Sequence, residues 1–322
     1  MRAILVPICG LAIILGLATP GHAEWPERPV RLIVPYTVGS MGDVVARLVS
    51  GSLQSTLGQP FIIENRIGAG GNIGTREVEQ AHPDGYTLLL AATNNFTINQ
   101  FLYKDLDFDP VKQFEPVTTL VNVPSVIFIN SEVPAKSFAE FVTYARANVG
   151  KLNYGSPGTG TTPHLSAEAI NKMYGLGMTH VPYKGAAQVV TGLLANEVQF
   201  YLAGAGVGTA QVKAGHLRAL AVSNPHRLDA LPDTPTFEEV GIKGINANNW
   251  WGVVAPLGTP RPVVTRLGVA LCTAVASAAV KTTLDQLGDV PVCNSPEDMA
   301  RQLTDEAEYW QRALPELGVK PE

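Results

Sequence analysis

The chain has 322 residues, 46% of them hydrophobic, and 23 basic against 28 acidic residues give it a formal net charge of -5. This length fits two compact domains with well-filled cores. An acidic chain without a basic run is a poor binder of nucleic acids and of anionic membranes, so we expect neither as a partner.

The N-terminus has the pattern of a cleavable export signal. Arg2 supplies a positive start, residues 3–18 are almost wholly apolar, and Gly21-His22-Ala23 offers small residues for cleavage. The apolar run is too short for a comfortable membrane span. We therefore expect residues 1–23 to be removed and the exported chain to begin at Glu24.

The cysteines, histidines and glycines indicate whether a disulfide, a metal site or a dinucleotide cofactor is to be expected. Cys272 and Cys293 lie beyond the expected signal; in an oxidising compartment they could form a disulfide, and as buried thiols they would be equally ordinary. The 6 histidines are scattered without the close pairing typical of a metal site, so we expect no metal. The glycine run at 68–74 has Ile73 at the third position of a dinucleotide fingerprint, and we expect no cofactor.

Strand-like and helix-like segments alternate along the chain. The predicted strands are residues 30–34, 61–64, 86–90, 115–121, 125–129, 152–154, 179–183, 200–202 and 217–222, with another after Asn249. The predicted helices start at Val44, with Asp43 as N-cap, and at Leu165, and cover residues 75–81, 138–148, 186–195, 262–279 and 296–314. This alternation predicts an α/β fold with mainly parallel sheets covered on both faces.

Four polar or glycine-rich turns follow predicted strands, at residues 36–43, 92–96, 155–164 and 203–208. Any one of them alone is more often plain turn chemistry. In parallel sheets, however, ligands bind at the carboxyl ends of the strands, where all four turns are expected to lie. Their coincidence predicts a binding site there.

The turn at residues 155–164, called the hydroxyl loop below, is the most distinctive of the four. Its hydroxyl side chains stand at the start of a predicted helix, where free backbone N–H groups favour an anion such as a carboxylate. These hydroxyls belong to Ser156, Thr159, Thr161 and Thr162. The alternative is a simple cap, with Thr161 or Thr162 as N-cap and Pro163 at N1, but a cap needs one hydroxyl and this loop has four.

Five segments, read together, resemble the solute receptors of tripartite tricarboxylate transporters, also called the Bug family. They are residues 25–29 (Trp-Pro-Glu-Arg-Pro), 64–74 (Glu-Asn-Arg followed by the glycine run), 83–89 (Pro-Asp-Gly-Tyr-Thr-Leu-Leu), 180–185 (His-Val-Pro-Tyr-Lys-Gly) and 213–222. Each piece is modest, but they occur in the family's order along essentially the whole exported chain.

The resemblance implies a periplasmic binding protein type II-like fold, with two Rossmann-like lobes joined by a two-crossover hinge. Lobe 1 would comprise residues 24–123 and 248–322, and lobe 2 residues 124–247. It further implies a monomeric periplasmic receptor that grips one ligand carboxylate between the loop at 37–42 and the hydroxyl loop. The large and small membrane subunits of the transporter are the implied partners.

Two departures from the family pattern bear on the ligand. The Pro-Pro-Gly-Gly-Gly-Thr-Asp run usual after the first strand is replaced by residues 37–43, in which Met41 would add an apolar wall. Relatives that bind amino acids tend to carry an Asp where this chain has Ala203, so an ammonium group would lack its counter-charge. We therefore favour an aromatic or aliphatic dicarboxylate with an uncharged body.

Paired tryptophans, Trp250 and Trp251, stand beside amides at the start of a strand, and we expect one indole in the core and the other facing the cleft. The full set of predicted ligand-binding residues is Tyr36, Thr37, Gly39, Ser40, Met41, Thr93, Asn94, Asn95, Ser156, Thr159, Gly160, Thr161, Thr162, His164, Ala203, Gly204 and Trp250.

Two other functions compete with transport. A ligand sensor that signals to a membrane sensor kinase would use the same binding chemistry. An exported hydrolase could use Ser156 and His164, but Tyr154 stands where a G-x-S-x-G nucleophile elbow needs glycine, and no carboxylate is placed to orient the histidine. We therefore expect a binding protein and no catalytic residues.

Overall fold

A computed structural model describes residues 24–319. The expected export signal, residues 1–23, lies outside the described residues. The strands are β1 Val30–Val34, β2 Phe61–Asn65, β3 Thr87–Ala92, β4 Phe114–Val123, β5 Ser125–Asn130, β6 Asn153–Ser156, β7 Thr179–Pro182, β8 Phe200–Gly204, β9 Leu217–Val222, β10 Asn249–Pro256 and β11 Val290–Pro291. The helices are α1 Met41–Leu57, α2 Asn72–Glu79, α3 Asn99–Leu102, α4 Phe138–Ala147, α5 Thr162–Tyr174, α6 Ala186–Leu194, α7 Ala205–Lys213, α8 Arg261–Ala276, α9 Ala278–Leu287 and α10 Pro296–Leu317.

The strands form two sheets. The first has the order β11-β4-β10-β3-β1-β2 and the second the order β7-β6-β8-β5-β9. β1 and β6 pair in parallel with both neighbours, whereas β10 and β5 run antiparallel to both of theirs. The α/β class is therefore confirmed, but the sheets are mixed rather than mainly parallel. β5 and β10 each enter their sheet from the other sheet, without the strand–helix–strand crossover that makes neighbouring strands parallel.

Each sheet is covered on both faces, as predicted. Alternate residues of β1 show this for the first sheet: Leu32 and Val34 belong to the core under α1 and α8, and Ile33 to the core under α2 and α10. In the second sheet, Ile127 of β5 faces α4 and α5 while Phe128 faces α6. Each sheet thus has its own cores, and a further buried cluster with Leu165 of α5 and Trp310 of α10 packs between the two sheets.

The chain passes between the sheets twice. Pro124 alone separates β4 of the first sheet from β5 of the second, and residues 223–248 lead from β9 back to β10. This connectivity accords with two crossovers. The lobe boundaries at 123/124 and 247/248 remain predictions.

Several helix predictions are wrong in detail. α1 begins at Met41 because Ser40, not Asp43, is its N-cap: the Ser40 hydroxyl accepts a hydrogen bond from the Asp43 N–H at 3.3 Å. The predicted turn at 92–96 is the end of β3 followed by a π-helical segment, Asn94–Ile98, which forms the turn after β3. The predicted turn at 203–208 is the end of β8 followed by α7. The predicted helix at 262–279 is two helices, α8 and α9, which bend by 66° across Ser277.

No single helix in residues 24–319 is long and apolar enough to cross a membrane, although α8 and α9 together have that length and composition. α8 instead lays an apolar face on the first sheet, where Leu267 and Leu271 are buried.

Cys272 of α8 and Cys293, in the segment before α10, form a disulfide with a Cα–Cα distance of 5.4 Å. Of the two alternatives that the sequence leaves open, the structure therefore has the bonded one. The bond ties the start of α10 to a core helix of the first sheet.

Candidate ligand-binding cleft

A cavity of about 450 Å³ opens between the two sheets. The first sheet and its connections contribute Tyr36, Met41, Ala92, Asn94, Val123, Asn249, Trp250, Trp251, Leu287 and Asp289. The second contributes Pro157, Thr161, Pro163, Ala186, Tyr201, Ala203, Gly204, Gly206 and Val207. Each of the four predicted turns contributes to this lining, through Tyr36, Asn94, Thr161 and Gly204. Most of the lining is apolar, a composition typical of small-molecule sites.

The structure brings part of the predicted set together at this cleft. The predicted residues that line it are Tyr36, Met41, Asn94, Thr161, Ala203, Gly204 and Trp250. Thr159 and Gly160 line an adjoining cavity of about 180 Å³, which shares Tyr36, Asn94 and Thr161 with the cleft. The predicted residues that line neither cavity are Thr37, Gly39, Ser40, Thr93, Asn95, Ser156, Thr162 and His164. A ligand contact remains a prediction for every member of the set.

The hydroxyls of the hydroxyl loop are mostly bonded within the protein. The Ser156 hydroxyl is fully buried, 3.0 Å from the Gly158 carbonyl and 2.7 Å from His180 Nε2. Thr161 donates to the same carbonyl at 2.7 Å, and Thr162 donates to Asn94 Oδ1 at 2.9 Å. These side chains therefore shape the loop. The N–H groups of Gly158 and Gly160 are bonded as well, to the Ser156 hydroxyl and to His164 Nδ1. The anion donors that remain are the backbone N–H groups in the first turn of α5, where Pro163 has none.

The N-terminus of α5 supplies such donors. Thr161 is its N-cap residue and Pro163 lies in its first turn, yet within residues 24–319 no side chain caps the helix. The first-turn N–H groups of a helix have no intrahelical partner and carry the positive end of its dipole. The predicted alternative is therefore right about the positions of Thr161 and Pro163, but the Thr161 hydroxyl does not make the capping hydrogen bond.

His164 supports the loop from below. Its Nδ1 accepts the Gly160 N–H at 3.1 Å, and its ring stacks on that of His180 with centroids 4.0 Å apart. Burial lowers the pKa of both histidines to about 4, so both rings are neutral at neutral pH. The sequence reasoning missed His180 as a support, although it lies in one of the segments that carry the family resemblance.

Thr93 and Asn95 hold the turn after β3. The Thr93 hydroxyl accepts the Trp250 N–H at 3.0 Å, and the Asn95 amide accepts the Ala92 N–H at 2.9 Å and donates to the Thr75 hydroxyl at 2.8 Å. Both side chains are fully buried. Their roles in this structure are internal.

The two tryptophans divide roughly as predicted. Trp250 is buried in the core, where its indole N–H donates to Glu306 at 2.7 Å. Trp251 is less buried and meets Tyr36 edge-on at 5.3 Å between ring centroids. Both tryptophans line the cleft, but Trp251, which is absent from the predicted set, has the more exposed ring.

The sequence model of the protein family described as "tripartite tricarboxylate transporter family receptor" matches residues 45–319 of this chain. The chain belongs to this receptor family. The resemblance drawn from the sequence is thereby confirmed.

Known relatives of the receptor span almost its whole length. A UPF0065 protein of Bordetella pertussis is 36% identical over 98% of this chain and 97% of its own. The structure of the periplasmic binding protein BugD is 34% identical, with a TM-score of 0.78 over 92% of this chain and 100% of its own. A structure of Rpa4515 from R. palustris with adipate is 33% identical, with a TM-score of 0.81 over 93% and 100%. These likenesses confirm the periplasmic binding protein fold.

Asp289 is the receptor's one acidic side chain among the described residues that line the cleft, and sequence reasoning missed it. Burial raises the pKa of its carboxyl group to about 7. It follows α9 and precedes the two-residue strand β11, and neither element was predicted as such. No sequence signal marked this position.

Proposed function

We propose that this receptor captures a small carboxylate in its cleft in the periplasm and delivers it to the membrane subunits of a tripartite tricarboxylate-type transporter. The observation that carries the proposal is the uncapped N-terminus of α5, which stands at the cleft beside Thr161. Among the described residues that line the cleft, none is a lysine or an arginine. An anion would then be held by the dipole of α5 and by neutral donors.

Neutral donors suit a receptor that must release its ligand. Each hydrogen bond to a charged acceptor contributes about 1.5–3 kcal/mol. The dipole of a helix adds about 0.3–1 kcal/mol, and more in partly buried geometry. A few such contacts are enough to bind the ligand, and they give a lower affinity than a buried ion pair would.

The apolar walls support a ligand with an uncharged body. Met41, Val123, Ala203, Trp251 and Leu287 line the cleft and offer no hydrogen bond to a polar substituent, apart from the indole N–H. A cavity of about 450 Å³ is large enough for a small aliphatic or aromatic dicarboxylate. Adipate, the ligand of the related Rpa4515 structure, belongs to this class.

The hydrolase alternative has weak support. Ser156 pairs with His180 rather than with His164, and its hydroxyl is fully buried and engaged with Gly158. A nucleophile must reach its substrate, and this hydroxyl does not face the cleft. The sensor alternative uses the same binding chemistry, and it differs only in the partner.

A thermal-shift screen of the protein starting at Glu24 tests the proposal. The panel contains aliphatic and aromatic dicarboxylates, tricarboxylates, aromatic monocarboxylates and amino acids. A ligand that binds only the folded state raises the melting temperature. We expect dicarboxylates to raise the melting temperature of the wild type. Ala203→Asp should abolish this shift, because it places a carboxylate in the cleft that repels the carboxylates of the ligand. Thr143→Val, on the exposed face of α4, should leave the shift intact.

Two results would contradict the proposal: stabilisation by amino acids alone, or no stabilisation by any carboxylate. Once a ligand is known, its uptake by cells with and without the transporter's membrane subunits separates transport from signalling. Uptake that persists without those subunits would contradict the delivery step.

A further inference from the structure

Asp289 is a buried residue at the cleft whose carboxyl group has an oxygen without a hydrogen-bond partner among the described residues. The residue is 3% exposed and lines the cavity. Its Oδ2 atom is fully buried, and no donor in residues 24–319 lies within hydrogen-bonding distance of it. Leaving a buried polar atom without a partner is unfavourable, and more so when the group is charged.

The segment that carries Asp289 is pressed against the second sheet's side of the cleft. A Cβ on Gly206, near the start of α7, would lie 2.6 Å from the Leu287 carbonyl oxygen, and a Cβ on Gly288 would lie 2.7 Å from the Cβ of Ala205. Only glycines allow this close approach. The carboxyl group is therefore held at the seam where both sheets border the ligand cavity.

No cation compensates Asp289 among the described residues around it. On its outer side a shallow groove contains Asp285 of α9 and, from the loop after β9, Asp229 and Arg227. Arg227 is already paired with Glu239 at 2.8 Å. The neighbouring stretches 205–212 of α7 and 116–123 of β4 contain no ionisable side chain. The tyrosines of the cleft, Tyr36 and Tyr201, stay neutral because burial raises their pKa further.

Two kinds of ligand group could satisfy this carboxyl group: a cation or donor, which would require the ionised form, or an acceptor, which would require the protonated form. Desolvation without a nearby cation favours the neutral acid, and a ligand carboxylate brought close would favour it further because two adjacent carboxylates cannot both stay ionised cheaply. The protonated acid then has an O–H to donate.

Building on the proposed carboxylate function, we propose that Asp289 binds the second carboxylate of a dicarboxylate as a protonated acid, so that ligand capture takes up one proton from solvent. The ligand's first carboxylate occupies the N-terminus of α5, and its uncharged body spans the apolar walls. The proton stays on the pair of carboxyl groups while the ligand is bound and returns to solvent on release.

Titration calorimetry with succinate and adipate, in buffers of different ionisation enthalpy, tests this coupling. At pH 8 the free carboxyl group is mostly ionised, since its pKa is about 7, so binding should take up close to one proton. Above pH 7 the affinity should fall by up to about tenfold per pH unit, and below pH 6 it should level off.

Asp289→Asn keeps an N–H donor at every pH, so it should still bind at pH 6 with no proton uptake and a flat pH profile. Asp285→Asn removes the same charge from the exposed end of α9 and should keep the wild-type uptake. The uptake is measured on the wild type itself, so the test survives a variant that fails to fold.

The outcomes separate this inference from the proposed function. Dicarboxylate binding without proton uptake, or with uptake that survives Asp289→Asn, overturns the inference and leaves the carboxylate receptor standing. Tighter binding of amino acids as the pH rises overturns it as well, because the ionised Asp289 would then be accepting from an ammonium group. No dicarboxylate binding at all overturns both.

Discussion

The stacked histidines under the hydroxyl loop are the residues on which the shape of the site depends most directly. His164 accepts the Gly160 N–H through Nδ1, so that nitrogen carries no proton in the folded protein. His180 contacts the Ser156 hydroxyl through Nε2. Protonating either ring would place a charge in a poorly solvated stack and disturb one of these loop contacts.

We predict that acid destabilises the protein through this pair. In the folded state burial depresses the pKa of both rings to about 4, whereas an unfolded histidine titrates near 6.5. Between those values the unfolded state binds more protons, so stability is fully present above about pH 6.5 and is lost as the pH falls towards 4. Each ring contributes a slope of up to about 1.4 kcal/mol per pH unit, measurable by urea unfolding.

His180→Gln should flatten this profile, because one of the two titrating rings is gone. The matched control is His82→Gln, which removes an exposed histidine and should leave the slope as in the wild type. Equal slopes in all three proteins would mean that the pair does not titrate as its burial indicates.

The sequence predicted which turns carry the polar residues of the site, but not which of these side chains face the cleft. Asn94 and Asn95 are adjacent and chemically identical, yet Asn94 lines the cleft while Asn95 is buried against Thr75. Similarly, Thr161 reaches the cleft and Thr162 does not. A polar turn after a strand indicates where a site lies, but which side chain faces it depends on contacts from distant parts of the chain.

At the scale of elements, α1 shows how two plausible capping residues are resolved. The sequence favours Asp43 as the N-cap, but the helix starts earlier. The Asp43 carboxylate instead bonds with Arg47, the Gly39 N–H and Asn65, and these contacts lower its pKa to about 2. Asp43 thus ties the loop after β1 to β2 and fixes the approach of Met41 to the cleft.

The disulfide between α8 and the segment before α10 allows a prediction about stability. The two cysteines are 21 residues apart, and closing a loop of that size stabilises the folded state by about 3 kcal/mol through the unfolded chain. A Cys272→Ser/Cys293→Ser double variant should lose about that much free energy of unfolding. Denaturant titration in oxidising buffer measures the loss.

Neither cysteine lines the cleft, so the double variant should keep the wild-type affinity for its carboxylate. The single variant Cys293→Ser serves as the control, because it removes the bond while leaving the Cys272 thiol. A loss of ligand affinity, or an unchanged free energy of unfolding, would show that the bond acts otherwise.

Element positions were predicted better than element directions. β1 and β9 were placed correctly at both ends, because each is a compact apolar run. The antiparallel insertion of β5 and β10 left no local signal, since direction depends on how the chain passes between sheets. α7 was missed because glycines at 204, 206 and 208 suggest a turn, whereas Gly208 is a packing requirement: a Cβ there would meet the Phe128 ring at 2.7 Å.

At the scale of the whole molecule, the two sheets meet through direct bonds across the cleft. Asn94, after β3 of the first sheet, donates to the Gly160 carbonyl at 3.2 Å and accepts from the Thr162 hydroxyl at 2.9 Å. Both partners lie in the hydroxyl loop, which extends from the second sheet. One side chain therefore joins the two halves of the site.

We predict that Asn94 stabilises the closed arrangement in which ligand is held. Asn94→Ala removes two hydrogen bonds of about 1 kcal/mol each, so it should shift the equilibrium towards an open form and weaken carboxylate binding at least ~tenfold. Small-angle scattering should show that saturating ligand compacts the wild type, and that the variant needs a correspondingly higher ligand concentration for the same compaction.

Asn148→Ala, at the end of α4 and away from the cleft, removes an amide of the same type and should behave as the wild type in both measurements. A purely local role for Asn94 would weaken binding and leave the scattering profile of the ligand-free variant equal to that of the wild type. A closing role also makes the ligand-free variant more open than the wild type, because the Asn94 bonds to the hydroxyl loop hold the two sheets together before ligand binds. Scattering that does not respond to ligand even in the wild type would contradict closure itself.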